Sequence, residues 1–237
     1  YSVYIQFVQG DLDWLLNKSE APLRDRLFYL LVFFCLTKSP EQTLPVCERV
    51  LALKLLPPPY HREMEILTIL DVYTLAGEPN KALERVSFSY RVIAELKYDS
   101  FIPQITIAEM LAHVVAGSPE PQIAKLADAV ENGMLNEKPF LREIGSYRVV
   151  KGLWLQRKGE STEAEKQLDE GLTVLDRSGF VPLRLHSLYR IVNVFAMFPP
   201  PLALQQKYLE LYNLELDRIG VTRLSAGLDA VIREQLG

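Results

Sequence analysis

Two cysteines, Cys35 and Cys47, are all that the 237 residues contain. Two cysteines cannot build a framework of several bridges, and they do not form a CxxC pair, so buried free thiols are favoured over a disulfide or a redox site. Both lie in apolar stretches of helical periodicity, where buried free thiols are expected. Long hydrophobic runs are missing as well. The most apolar stretch, LFYLLVFFCL at residues 27–36, is flanked by Arg24, Asp25, Arg26 and Lys38. It falls far short of the roughly twenty residues that cross a bilayer, and reads instead as a helix covered by protein on nearly all sides. The net charge is −4, with neither a Lys/Arg block nor a basic stripe, which argues against direct nucleic-acid binding. No secretory signal is recognised, and with free thiols the expected location is a reducing cytoplasm.

Enzyme signatures are also lacking. There is no GxxxxGKS/T for phosphate, no GxGxxG after a strand, no HExxH and no GxSxG. HREME at His61 has no second histidine and suits a capping or surface role better than a metal ligand. Glu63 and Glu65, like Glu163 and Glu165, are two positions apart, so on a helix they diverge by about 200° and cannot work as a catalytic couple. The chain is read as not an enzyme, with no cofactor and no metal site.

What is present is helix. Alternating strand patterns are hard to find, whereas apolar residues recur at i, i+3, i+4 and i+7. With 49% hydrophobic and 24% charged residues, the composition is that of a folded chain able to bury a large core. The breakers then fall into two series. Polar or Gly/Pro-rich loops centre on Pro40, Pro79, Pro119, Ser161 and Pro200, at separations of 39, 40, 42 and 39 residues. Between them lie aromatic residues near prolines, Tyr60, Phe101, Phe140 and Phe180, at separations of 41, 39 and 40. Two series with one period imply a helical hairpin of about 40 residues as the repeating unit.

The implied helices are 20–37, 41–56, 60–76, 79–97, 101–116, 120–135, 140–158, 161–178, 181–197 and 201–219, with a last helix over 223–236. Gly77, Gly117 and Gly159 suit the left-handed position past a helix end. Residues 1–18, turning at Gly10, form an incomplete leading hairpin, and the start inside the apolar YSVYIQFV suggests a piece of a longer protein. Each ring of the second series is expected to pack into the seam with the preceding hairpin. The expectation is a single all-α domain over 1–237: an α-solenoid of about five antiparallel hairpins spanning 20–219, closed by a capping helix.

The fourth hairpin carries the clearest pattern. Gly152, Gly159, Ala164 and Gly171 are spaced by seven, five and seven residues, which resembles the tetratricopeptide pattern, where small residues occupy the close crossing of two helices and a glycine makes the turn. In the second hairpin Tyr73, Gly77 and Ala82 match the same frame, while Leu70 and Ser89 depart from it. The period is longer than the usual 34, and Asp176 replaces the proline expected after the second helix. Long hairpins of this kind resemble the superhelical sensor regions of bacterial transcription activators of the maltose-regulator type, and LDRSGFVPLRLHSLYRI is similar in texture to their junctions.

That resemblance implies a concave face lined by the first helix of each hairpin. Carried over residue by residue, it selects Asp71, Thr74, Glu109, His113, Ser146, Gln156, Leu188 and Phe195. Glu109 and His113, at i and i+4, could form a charged pair. His186 and Arg190, with Arg184 nearby, suit either a solvated helix face or an anionic ligand. The partner implied is a protein or peptide segment, or a small effector, bound within a larger regulatory, transcriptional protein. A scaffold that self-associates through an open solenoid end is the alternative, and a helical-cleft hydrolase the third. Gly152→Leu is expected to destabilise, and Asp71→Ala with His113→Ala to leave the melting temperature unchanged.

Overall fold

The computed structural model describes residues 9, 23–54, 68–97, 99–134 and 140–220. Among them there is helix and no strand, and no helix is long and apolar enough to cross a membrane. Ten α-helices are described: α1 (Leu23–Cys35), α2 (Pro40–Leu53), α3 (Leu70–Leu75), α4 (Pro79–Leu96), α5 (Ile102–Ala116), α6 (Glu120–Asp128), α7 (Leu141–Arg157), α8 (Ser161–Ser178), α9 (Val181–Met197) and α10 (Leu202–Arg218). Most of their ends lie close to those read from the breakers; the start expected for α3 at 60 lies outside the described residues, and α6 ends at Asp128 rather than at 135. The expected leading hairpin over 1–18, the capping helix over 223–236, Tyr60, His61, Glu63 and Glu65 lie outside the described residues.

The chain's punctuation explains these boundaries. Pro40 and Pro79 open α2 and α4 at a position whose N–H has no intrahelical partner in any case. Gly117 and Gly179 take left-handed φ values of 72° and 67° past the ends of α5 and α8, a conformation open to glycine without a Cβ penalty. One ending was not legible: after Asp128 the backbone widens into a π-helical turn, Ala129–Met134.

Consecutive helices pair as hairpins, tightest between α7 and α8. The cause is the absence of side chains at the crossing. A Cβ added at Gly145 would lie 2.5 Å from Leu175 Cγ and 2.9 Å from the Gly171 carbonyl oxygen, and one at Gly152 would lie 2.8 Å from Leu168 Cγ and 3.0 Å from the Ala164 carbonyl oxygen. Gly152, Ala164 and Gly171 are the small residues marked in the sequence; Gly145 is an addition.

The first helices of the hairpins also pack on one another. α3 contacts α5, α5 contacts α7, α7 contacts α9, and α9 returns to α3. Farther out, the Tyr212 hydroxyl of α10 donates to the Leu36 carbonyl at the end of α1, 2.5 Å away. The four inner helices thus form a closed ring, and this differs from the expected open concave face. The physical reason lies in α5, whose Ile105, Ile107, Ala108, Met110, Leu111, Ala112, Val114 and Val115 are all buried. Apolar residues on every side of a helix require neighbours on every side. Phe140 departs from expectation too: it is 57% exposed, under the Arg142 guanidinium, rather than wedged in a seam, whereas Phe101 and Phe180 are half-buried against the core.

Candidate functional site

α3 supplies Asp71 and α9 supplies His186 and Arg190, one helical turn apart, and the return of α9 to α3 brings the three together. Arg190 Nε donates to Asp71 Oδ2 at 2.6 Å, and His186 Nε2 lies 2.5 Å from the same oxygen. Asp71 is 1% and Arg190 3% exposed. Burial by itself would raise the Asp71 carboxyl, but the Arg190 charge and the His186 ring hold it down at about 2. Burial, joined by the Arg190 charge, pushes His186 below its ordinary value. At neutral pH the cluster is therefore one ion pair with a neutral imidazole donating Nε2–H to the carboxylate.

The basic residues of α9 are thus neither a solvated face nor open to a foreign anion, because the chain supplies the carboxylates. Arg184 pairs with Glu215 of α10, which is 3% exposed and also bound by Arg218. Glu215 was not singled out in the sequence; it lies in an ordinary amphipathic stretch, YLELYNLELDRIG.

The third-hairpin pair is corrected as well. Glu109 accepts a hydrogen bond from the Tyr90 hydroxyl at 3.0 Å. His113 turns to the α5–α6 connection instead, with Nδ1 2.8 Å from Ser118 Oγ and Nε2 3.2 Å from Gln122 Nε2. Since the Gln122 amide donates, His113 Nε2 accepts and Nδ1–H donates to Ser118. Burial pushes this ring below its ordinary value, against the pull of Glu109. Thr74 is buried with its hydroxyl on the Leu70 carbonyl of its own helix, and Ser146 and Leu188 are buried inside the ring. Asp71, Thr74, His113, Ser146 and Arg190 therefore do not line an open surface. The expectation that Asp71→Ala and His113→Ala together leave stability unchanged falls with it, since Asp71 is a core ion-pair partner.

Gln156 has a different setting. It lines a pocket of about 420 Å³ at the C-terminal ends of α7 and α9, with Leu153, Arg157, Val194, Phe195 and Phe198 among the walls. The pocket exists because α7 and α9 run side by side and the chain turns away after Met197. Gln156 Oε1 is buried and meets no donor among the described residues. Arg157 lies across the rim: its Nη1 donates to the Val115 carbonyl at 3.1 Å, and its guanidinium carbon is 4.5 Å from the Phe198 ring centre. Gly117 leaves room for it, since a Cβ there would stand 2.7 Å from Arg157 Nη2.

Sequence reasoning had selected Gln156 and Phe195 but not Arg157 or Phe198. The loop at Pro200 reads only as a breaker, although Phe198, two residues before it, is the signal that marks the wall. The lining holds no acid, no histidine and no nucleophile, and among the described residues no group of three or more His, Cys, Asp or Glu could hold a metal ion. What the arrangement offers is a largely apolar recess with the Gln156 side chain in its wall and one cation at its rim, at a volume typical of small-molecule sites. Comparison with protein-family models, curated proteins and solved structures finds no match to this chain.

Proposed function

We propose that the chain is a noncatalytic helical-hairpin module that senses a small amphipathic effector, or takes up an amphipathic side chain of a partner segment, as part of a larger regulatory protein of the transcription-activator kind. In this reading the hairpins are repeats of about 40 residues, wound as a tight solenoid in a reducing cytoplasm. One observation supports the proposal: the ends of α7 and α9 enclose a largely apolar pocket with the Gln156 side chain in its wall and the Arg157 guanidinium at its rim. A ligand with an apolar ring system fits the walls formed by Leu153, Val194, Phe195 and Phe198, beside which the Gln156 side chain supplies a polar neighbour. Arg157 at the rim favours a ligand with a negative group.

Anilinonaphthalene sulfonate, which combines an apolar ring system, an N–H and an anionic group, is a suitable probe. It is expected to bind the natively folded chain with one-to-one stoichiometry and to shift the Met197 methyl resonance. Gln156→Leu and Arg157→Gln should each weaken binding while the melting curve stays cooperative. Binding that survives both substitutions unchanged would place the probe elsewhere and refute the pocket as a site.

A further inference from the structure

The α1–α2 hairpin joins the chain's two cysteines. Cys35 ends α1 and Cys47 lies in the second half of α2, and their Sγ atoms are 3.0 Å apart, both free and both fully buried. A disulfide S–S bond is about 2.05 Å long, so the two sulfurs stand about 1 Å beyond bonding distance. We propose that Cys35 and Cys47 are an oxidisable dithiol, which a hydroperoxide converts into an intramolecular disulfide tying α1 to α2. The inference is independent of the pocket.

The chemistry balances in two steps. One cysteine sulfur attacks the outer peroxide oxygen, the O–O bond breaks, the departing alkoxide takes the thiol proton and leaves as the alcohol, and a sulfenic acid remains. The second sulfur then attacks the first, the S–S bond forms, and hydroxide leaves with the second thiol proton as water. Two thiols are oxidised and one peroxide is reduced. With the partner sulfur already in contact, the sulfenic acid is consumed before a second peroxide adds further oxygen. Burial, which raises the Cys35 thiol, keeps the thiolate scarce, so oxidation proceeds slowly, through local opening of the hairpin. In a reducing compartment the bond is transient and is removed by thiol exchange.

Treating the full chain with hydrogen peroxide under native conditions tests this. The expected result is that both thiols disappear together, the intact mass falls by two hydrogens, a single proteolytic fragment pair is linked between Cys35 and Cys47, the chain stays monomeric on a non-reducing gel, and dithiothreitol restores both thiols. In glutathione buffers the disulfide should be favoured in the folded chain over the urea-denatured chain by about tenfold or more, tenfold being about 30 mV for a two-electron couple. Oxygen added to either sulfur without a link, a covalent dimer, or no native preference in the glutathione equilibrium would each overturn the proposal. Cys47→Ala should let Cys35 stop at the oxygen-added stage. Should that variant fold poorly, the wild-type glutathione measurement still decides.

Discussion

Asp71 carries its charge inside the inner ring, and the neighbours on α9 are the reason it can. Removing the carboxylate leaves the Arg190 guanidinium buried and unpaired, so Asp71→Ala should destabilise by about 3–5 kcal/mol in urea denaturation. Replacing Arg190 by Met in the same chain should recover much of that loss, because a neutral pair of similar volume needs no partner. A double variant as damaged as the sum of the two singles would show that the pair is not coupled. The pH dependence follows from the same groups. The carboxyl of Asp71 is lowered from 3.8 to about 2 in the fold, so its contribution is complete above about pH 4 and is lost as pH falls through 2. His186 and His113 are held below 6.5, so the unfolded chain takes up protons first, and stability declines as pH falls below 6.5. Thermal melts from pH 7.5 to 4 should show this decline, and His186→Asn, which keeps an N–H donor, should flatten its upper part. A melting temperature that rises on acidification would contradict the assignment of neutral rings.

Between elements, the α7–α8 crossing sets the closest approach, and it gives a graded series. A helical Gly→Ala change gains up to about 1 kcal/mol of propensity, against about 1–3 kcal/mol for overpacking. At Gly145 the added carbon meets the Gly171 backbone oxygen, which cannot yield as a side chain can, so Gly145→Ala should be net destabilising, and Gly152→Leu more so. Gly133→Ala, in the π-helical turn with nothing within 4 Å of the added carbon, is the control and should be neutral or stabilising by up to about 1 kcal/mol. Equal effects at Gly145 and Gly133, read by chemical denaturation, would mean the crossing is looser than described. The helix ends were legible because Gly and Pro act locally, through φ and the missing N–H. Gly145 stands seven residues before Gly152, on the same helix face, but outside the Gly152–Gly159–Ala164–Gly171 spacing that carries the repeat pattern. The widening turn after Asp128 carries no breaker at its start and left no mark to read.

Closure is a property of the whole molecule, and the residues that report it are far apart in sequence. Local periodicity says which side of a helix is buried but not which distant helix covers it, so Asp71, His186 and Arg190 were each selected without their meeting being foreseen. The apolar circumference of α5 is the sign that neighbours cover that helix on every side. An open array is expected to unfold hairpin by hairpin, with each unit held only by its neighbours. Here α9 rests on α3 and Tyr212 on Leu36, so loosening either end disturbs the other. In a Trp14→Phe chain, the fluorescence of Trp154 and the far-ultraviolet circular dichroism should therefore trace one coincident transition in urea. Separated midpoints would mean that the ring opens stepwise. The return of α9 to α3 also limits how such a chain can evolve. Extended repeat arrays tolerate gain or loss of a unit, since every junction is alike. Duplicating or deleting a hairpin between α3 and α9 would instead part Asp71 from Arg190 and strand two opposite charges in a dry interior, so the copy number is fixed by a single buried salt link.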